Sequence, residues 1–290
     1  MKLGVSSYSF IKLVKSGEMK QIDVIKKAKE MGFDVIEFIA FELEENETNE
    51  EFAQKAKDES NRVGIEIGSY TIGGDFINGS NGDICAEIDR LKKEVDIARI
   101  LGVKSMRCDA TIGFDKNYKG PRGFDNALPI LVKGYRSLAE YANQYGIKIM
   151  VENHGYFCQD SDRVEKLINA VDHPNFGLLL DMGNFVCVDE KPEEAVGRLM
   201  PYVNHVHAKD FHIKSGMTPC PGEGWFSSRG GNYLRGSIIG HGDVPILQCL
   251  KIIKNYGYEG VLSIEFEGLE NPLVGIEIGL KNLRKYIEMV

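Results

Sequence analysis

Short apolar, β-branched runs recur along this chain, each followed by enough residues for a helix. That recurrence constrains the fold more than any other feature. Eight can be counted: "KLGVSSY", "DVIEFIA", "GIEIGSY", "VKSMRCD", "IKIMVEN", "FGLLLDM", "VNHVHAKD" and "GVLSIEF". The segments between them carry helical periodicity. In "CAEIDRLKKEVDIARILG", Ile88, Leu91, Val95, Ala98 and Leu101 follow a 3.6-residue period. "MGF", "VGI", "LGV", "YGI" and "YGY" each put Gly after a helix and before a strand, where a C-cap needs positive φ. Near-continuous apolar strands alternating with helices imply a parallel sheet. Eight such units imply an α/β fold closed as a (β/α)8 barrel. An open doubly wound sheet needs fewer units, and no GxGxxG follows the first strand. The 290 residues suit one barrel, and no linker divides them, so residues 1–290 read as one domain.

In such barrels chemistry sits where strands end and βα loops begin. Here the fifth strand ends in Glu152-Asn153-His154 and the sixth in Asp181. The seventh carries His205 and His207, then Lys209 and Asp210; the eighth carries Glu265 and Glu267. Glu37 lies on the second, and Arg107 and Asp109 on the fourth. Four adjacent strands thus end in groups that bind metal. Three carboxylates and one imidazole suit one hard or borderline divalent cation. Mn²⁺ is favoured, with Mg²⁺ and Co²⁺ as alternatives.

Strand alternation ranks the neighbours. His205 and His207 share a face, and His207 is nearer the C-terminal end, so it is the preferred ligand over His205. Glu265 and Glu267 also share a face; Glu265, between Ile264 and Phe266, is preferred over Glu267. Neither choice is closed by the sequence.

Taken in order, "VENHG", "LLLDMGNF", "HVHAKD" and "LSIEFEG" resemble the sugar phosphate isomerase/epimerase superfamily, the xylose-isomerase-like TIM barrels. The resemblance covers essentially the whole chain. It implies that Glu152, Asp181, His207 and Glu265 hold one divalent metal. The endonuclease IV branch is a poor match, because Asn184 stands where an extra His would be and no Asp-x-His pair precedes "GHGD". Ketose 3-epimerases resembling tagatose 3-epimerase grip substrate with three residues whose places here hold Asn184, Cys158 and Ile213. A free-ketohexose epimerase is therefore in doubt.

The resemblance implies proton abstraction next to a carbonyl through a metal-stabilised enediolate. Glu152 and Glu265 are expected as the acid/base pair on opposite faces of the substrate. Epimerisation or isomerisation of a sugar is the leading expectation. The alternative is elimination at the same site, as in inosose dehydratases or subunits that deglycosylate 3-keto-C-glycosides. A non-catalytic sugar-binding barrel is the third reading, but all four ligands are present. His154, Asn184, Lys209, Arg107, Trp225, Arg235 and His241 are expected to bind substrate. Trp225, Arg235 and His241 belong to a long segment after the seventh strand, about 211–242, read as an irregular loop. Its length and aromatic content suggest a lid or a subunit contact, in a homo-oligomer or against a second subunit.

The remaining composition excludes other classes. A net charge of −8 argues against nucleic acid or an anionic membrane as partner. The acidic run "FELEENETNEEF" reads as a solvated loop and first helical turn. The six cysteines are scattered, as expected for reduced thiols in the cytoplasm. No apolar stretch reaches the roughly 18 residues of a membrane span.

Overall fold

A computed structural model describes residues 1–290. The barrel strands are β1 (Lys2–Ser6), β2 (Val35–Ile39), β3 (Glu66–Ile72), β4 (Ser105–Cys108), β5 (Lys148–Glu152), β6 (Phe176–Asp181) and β7 (Val203–Ala208). After β7 come three short strands, β8 (Asp210–Lys214), β9 (Phe226–Ser227) and β10 (Tyr233–Ser237), and then β11 (Val261–Ile264). The parallel barrel closes in the order β1-β11-β7-β6-β5-β4-β3-β2. All eight expected strands are present, and the fold is a TIM barrel.

Helices α1 (Ile11–Lys15) and α2 (Asp23–Met31) follow β1. One helix follows each later barrel strand: α3 (Asn49–Val63), α4 (Ile84–Leu101), α5 (Phe124–Asn143), α6 (Ser161–Val171), α7 (Pro192–Leu199), α8 (Ile246–Asn255) and α9 (Pro272–Met289). Gly32 and Gly102 end α2 and α4 at φ 90° and 81°, where any Cβ would be strained. The acidic run enters α3 through a Thr48–Glu51 capping box, so its acids serve the helix start. No helix is long and apolar enough to cross a membrane. Alternation places the core. Leu178 and Leu180 of β6 join the hydrophobic cluster, while Leu179 and Asp181 take the other face.

The segment after β7 departs from expectation. It is a three-stranded antiparallel sheet in the order β8-β10-β9, not an irregular loop. β8 pairs with β10 across residues 215–232, too far for a tight-turn signal, while β9 is only two residues long and meets β10 through the Gly-containing turn 228–232. Buried Asp210 anchors it. Its carboxylate accepts from the backbone N–H of Phe211 (2.8 Å), Gly240 and Gly242 (2.9 Å each) and Val244 (3.1 Å). Asp210→Ala is expected to cost about 3 kcal/mol or more, because each donor left dry costs about 1–3 kcal/mol. Denaturant midpoints check this; an unchanged midpoint would mean the turn holds without its anchor.

Candidate metal centre

The strands β5, β6, β7 and β11 are consecutive in the barrel, so their C-terminal ends form one arc. Register pairs Asp181 with His207 and Ser263 with His207, bringing Glu265 alongside. One ligand atom each from Glu152, Asp181, His207 and Glu265 lies within 4.8 Å of the others. His207 Nδ1 is 3.8 Å from Glu265 Oε1, 3.9 Å from Asp181 Oδ2 and 4.0 Å from Glu152 Oε1. A cation bound at about 2.1 Å keeps its ligands roughly 3.0–4.2 Å apart. Asp181 Oδ2 and His207 Nδ1 are buried without an aligned hydrogen bond, a costly state that a cation would relieve. The residues therefore fit a divalent metal.

Each of the four has its other atom held by the protein. Asp181 Oδ1 accepts from the N–H groups of Gly183 (2.7 Å) and Asn184 (3.0 Å). Glu152 Oε2 is paired with the Arg107 guanidinium, and its Oε1 accepts from Asn184 Nδ2 at 3.0 Å. Glu265 Oε2 lies 2.6 Å from Lys209 Nζ. His207 Nε2 lies 2.6 Å from Glu37 Oε1. Such backing fixes which atom of each ligand faces the centre.

Glu37 was not among the expected site residues. Its only signal is a charge in the middle of the apolar run "VIEFI", at a fully buried position. His205 lies 2.8 Å from Glu37 Oε2 and 3.2 Å from Ser263 Oγ, so it supports Glu37 rather than facing the centre. Glu37→Gln keeps the shape but removes the charge that orients His207. Mn²⁺ affinity, measured by calorimetric titration, is expected to fall about 10- to 100-fold. Unchanged affinity would show that His207 needs no carboxylate behind it.

The electrostatics fit a cation site. Burial pushes the Asp181 carboxyl up to about 6; Lys209 opposes this, while Glu152 and Glu265 reinforce it. Burial also acts on Glu152 and Glu265, but Arg107 and Lys209 respectively hold them below the usual carboxylate range. Burial would lower His207, yet the carboxylates of Glu37 and Glu265 outweigh it and raise the imidazole to about 10. Carboxylates outnumber fixed cations here, so positive charge is drawn in.

Two cavities meet at this centre. One, of about 410 Å³, contains Arg107, Glu152, His207 and Glu265. The other, of about 390 Å³, extends toward β8–β10. Tyr8, His154, Lys209 and Glu267 line both. His154 Nδ1 lies 2.9 Å from Asp109 Oδ1 at the rim. Asn184 bridges Glu152 and Lys209, accepting from the latter at 3.2 Å. Glu267 is 3.8 Å from Lys209 Nζ and stands outside the four-atom cluster, which contains Glu265.

Three residues expected near the substrate lie elsewhere. Arg235 stacks over Trp225, 5.3 Å from the ring centre, and neither lines these cavities. Gly236 faces the cavity, so alternation along β10 turns Arg235 the other way. His241 is exposed, because its flanking glycines turn their N–H groups inward to Asp210.

Comparison with known proteins agrees with this fold. Over 201 residues the chain is 28% identical to the inosose dehydratase of Bacillus licheniformis, covering 67% of this chain and 65% of that protein. The chain spans only 53–65% of the length of the curated relatives it matches first. D-Allulose 3-epimerase from Methylomonas sp. superposes with a TM-score of 0.73 at 17% identity, over 99% of this chain and 98% of that one. The probable 3-DHS dehydratase from Bacillus anthracis superposes with a TM-score of 0.69 at 19% identity, over 97% and 99%. Structural likeness at such identities carries the fold alone. The family model described as xylose isomerase-like TIM barrel matches residues 25–286, nearly the whole barrel. With that match, and the closed barrel beneath it, the chain belongs to the xylose isomerase-like TIM barrel family.

Proposed function

We propose that this protein, acting as one catalytic domain over residues 1–290, is a divalent-metal-dependent lyase. Its substrate is a cyclic ketone of the keto-sugar or inosose type, and the reaction eliminates the substituent β to the carbonyl. Glu152, Asp181, His207 and Glu265 would hold the metal, with Mn²⁺ favoured. When bound, the metal supplies Lewis-acid polarisation of the substrate carbonyl and makes the adjacent C–H more acidic.

One observation carries the choice of elimination: the two candidate bases have different partners. Glu152 is paired with Arg107, whose guanidinium does not give up a proton in proteins. Glu265 is paired with Lys209, whose ammonium can. Glu152 therefore serves to hold, and the Glu265–Lys209 pair serves to move protons. The Glu265 carboxylate takes the α-proton, and the electron pair of that C–H bond becomes the new double bond. The β C–O bond breaks, and Lys209 protonates the departing oxygen. Proton transfer from Glu265 to Lys209 across their 2.6 Å contact restores both groups. Two-base epimerisation, the leading expectation from sequence, needs a second free base, and the Arg107 pairing disfavours Glu152 in that role. The dehydratase relative is consistent with elimination.

The test is incubation of the purified protein with inososes and 3-keto sugars in D₂O, with and without chelator. About one divalent cation per chain is expected by elemental analysis, and chelation should abolish loss of water or aglycone. An inverted sugar carrying one deuterium, with no eliminated product, would make the protein an epimerase. Activity indifferent to chelator, in protein free of metal, would remove the metal from the reading.

A further inference from the structure

Four side chains line both cavities at the mouth, and they are not equivalent. His154 is held by Asp109 at 2.9 Å, and Lys209 by Glu265 at 2.6 Å and Asp181 at 3.2 Å. Tyr8 and Glu267 are the other two. Within the chain the Tyr8 hydroxyl makes no hydrogen bond, and neither does the Glu267 carboxylate; Lys209 Nζ stands 3.8 Å from it, beyond bonding distance. The Glu267 side chain is only 23% exposed. Gly236 of β10 packs so closely on it that a Cβ there would come within 2.7 Å of Glu267 Cγ and of its backbone. A carboxylate held in such a place without a donor is costly until a ligand supplies one. Carboxylates only accept, so the ligand must bring hydroxyl or N–H hydrogens, while a Tyr hydroxyl can both donate and accept. Burial and the Glu267 carboxylate raise the Tyr8 phenol, against Lys209, so it meets the ligand as a hydroxyl.

Charge narrows the ligand further. Each cation lining the metal-side cavity already faces a carboxylate. Lys15 lies 4.0 Å from Glu42, Arg107 is paired with Glu152 and Asp109, and His207 with Glu37, beside the His154 and Lys209 pairs above. No side-chain cation is left over for a phosphate or a carboxylate, and Glu267 repels either.

We propose that Tyr8 and Glu267 determine specificity. Glu267 accepts hydrogen bonds from neighbouring hydroxyls of the substrate ring, Tyr8 holds a further one, and the pair selects a neutral polyol ring against one carrying a carboxylate or phosphate. This rests on the reading of a cyclic substrate at this centre and names what the site requires away from the reacting carbonyl. Hydroxyls held alike in the ground and transition states set affinity, so loss of these contacts falls on KM rather than kcat.

The test uses rings without a ketone, which cannot react whatever the chemistry. Calorimetric titration of the Mn²⁺-loaded full-length protein compares scyllo-inositol, shikimate and methyl shikimate; the last two differ by one methyl group and one charge. The protein is expected to bind scyllo-inositol, and to prefer methyl shikimate to shikimate by about 10-fold or more. Glu267→Gln should weaken scyllo-inositol about 10- to 100-fold, the scale of a hydrogen bond to a charged group, and bring the two shikimates within about 3-fold of each other. Tyr8→Phe should weaken scyllo-inositol about 3- to 10-fold and keep the preference between the shikimates, since it removes a neutral bond only. Gly236→Ala keeps the carboxylate but crowds it, and should weaken scyllo-inositol as well. Mn²⁺ content and denaturant midpoints, measured in parallel, separate these effects from unfolding, and the isosteric Glu267→Gln remains decisive if Gly236→Ala folds poorly. Shikimate bound as tightly as its ester, no binding of either neutral ring, or Glu267→Gln without effect on scyllo-inositol would each overturn the proposal. If the selectivity holds while inososes neither exchange a proton nor lose water, the elimination reading falls and the recognition site stands.

Discussion

Replacement of Glu265 by Gln is expected to reduce turnover about 10³-fold, within the 10²–10⁴ range of a general base, while the fold persists. Gln keeps an oxygen for the metal and loses the charge that accepts the proton. The side chain is nearly buried and fixed between His207 and Lys209, so no solvent base can replace it. Glu267 is the control. It lies 3.8 Å from Lys209 and outside the ligand cluster, so Glu267→Gln should change turnover by less than about 10-fold, since it removes neither ligand nor base. Steady-state kinetics on the two variants, with metal content measured in parallel, decides between them. Full activity in Glu265→Gln with loss in Glu267→Gln would move the base to the later residue.

Replacement of Lys209 by Met should separate two events that the wild-type protein couples. Elimination needs an acid at the departing oxygen and is expected to fall by about 10²–10⁴. Abstraction of the α-proton needs only Glu265 and the metal, so exchange of that hydrogen in D₂O, followed by NMR, should persist within about 10-fold. Lys209 also lies 3.2 Å from Asp181 Oδ2, so the variant is assayed at saturating Mn²⁺ to keep the carboxylates compensated. Lys209→Arg is the informative companion. It restores the positive charge but not a transferable proton, and elimination should stay low. If exchange and elimination fall together in Lys209→Met, or if Arg rescues both, the ammonium positions Glu265 and Asp181 rather than donating a proton.

Much of this architecture was legible in the chain. The strands were readable because burial on both faces makes each a continuous apolar run, and glycines such as Gly32 and Gly102 mark helix ends. The candidate ligands were readable because barrel topology sends every strand end to one rim, but a two-residue period only puts His205 with His207 and Glu265 with Glu267 on shared faces; packing brings His207 and Glu265 into one cluster with Glu152 and Asp181. Partners were not readable. Glu37 beside His207, Arg107 on Glu152 and Asn184 between Glu152 and Lys209 join different strands or loops, and no local pattern encodes such pairs. Nor could β10 be phased. Whether Arg235 or Gly236 faces the cavity depends on how a five-residue strand pairs with β8, which is settled only when the sheet forms. Local periodicity thus determined the barrel and the strand ends at which candidate ligands gather. Which carboxylate is tied to a fixed cation, and which to one that can give up its proton, was decided only by packing across the rim.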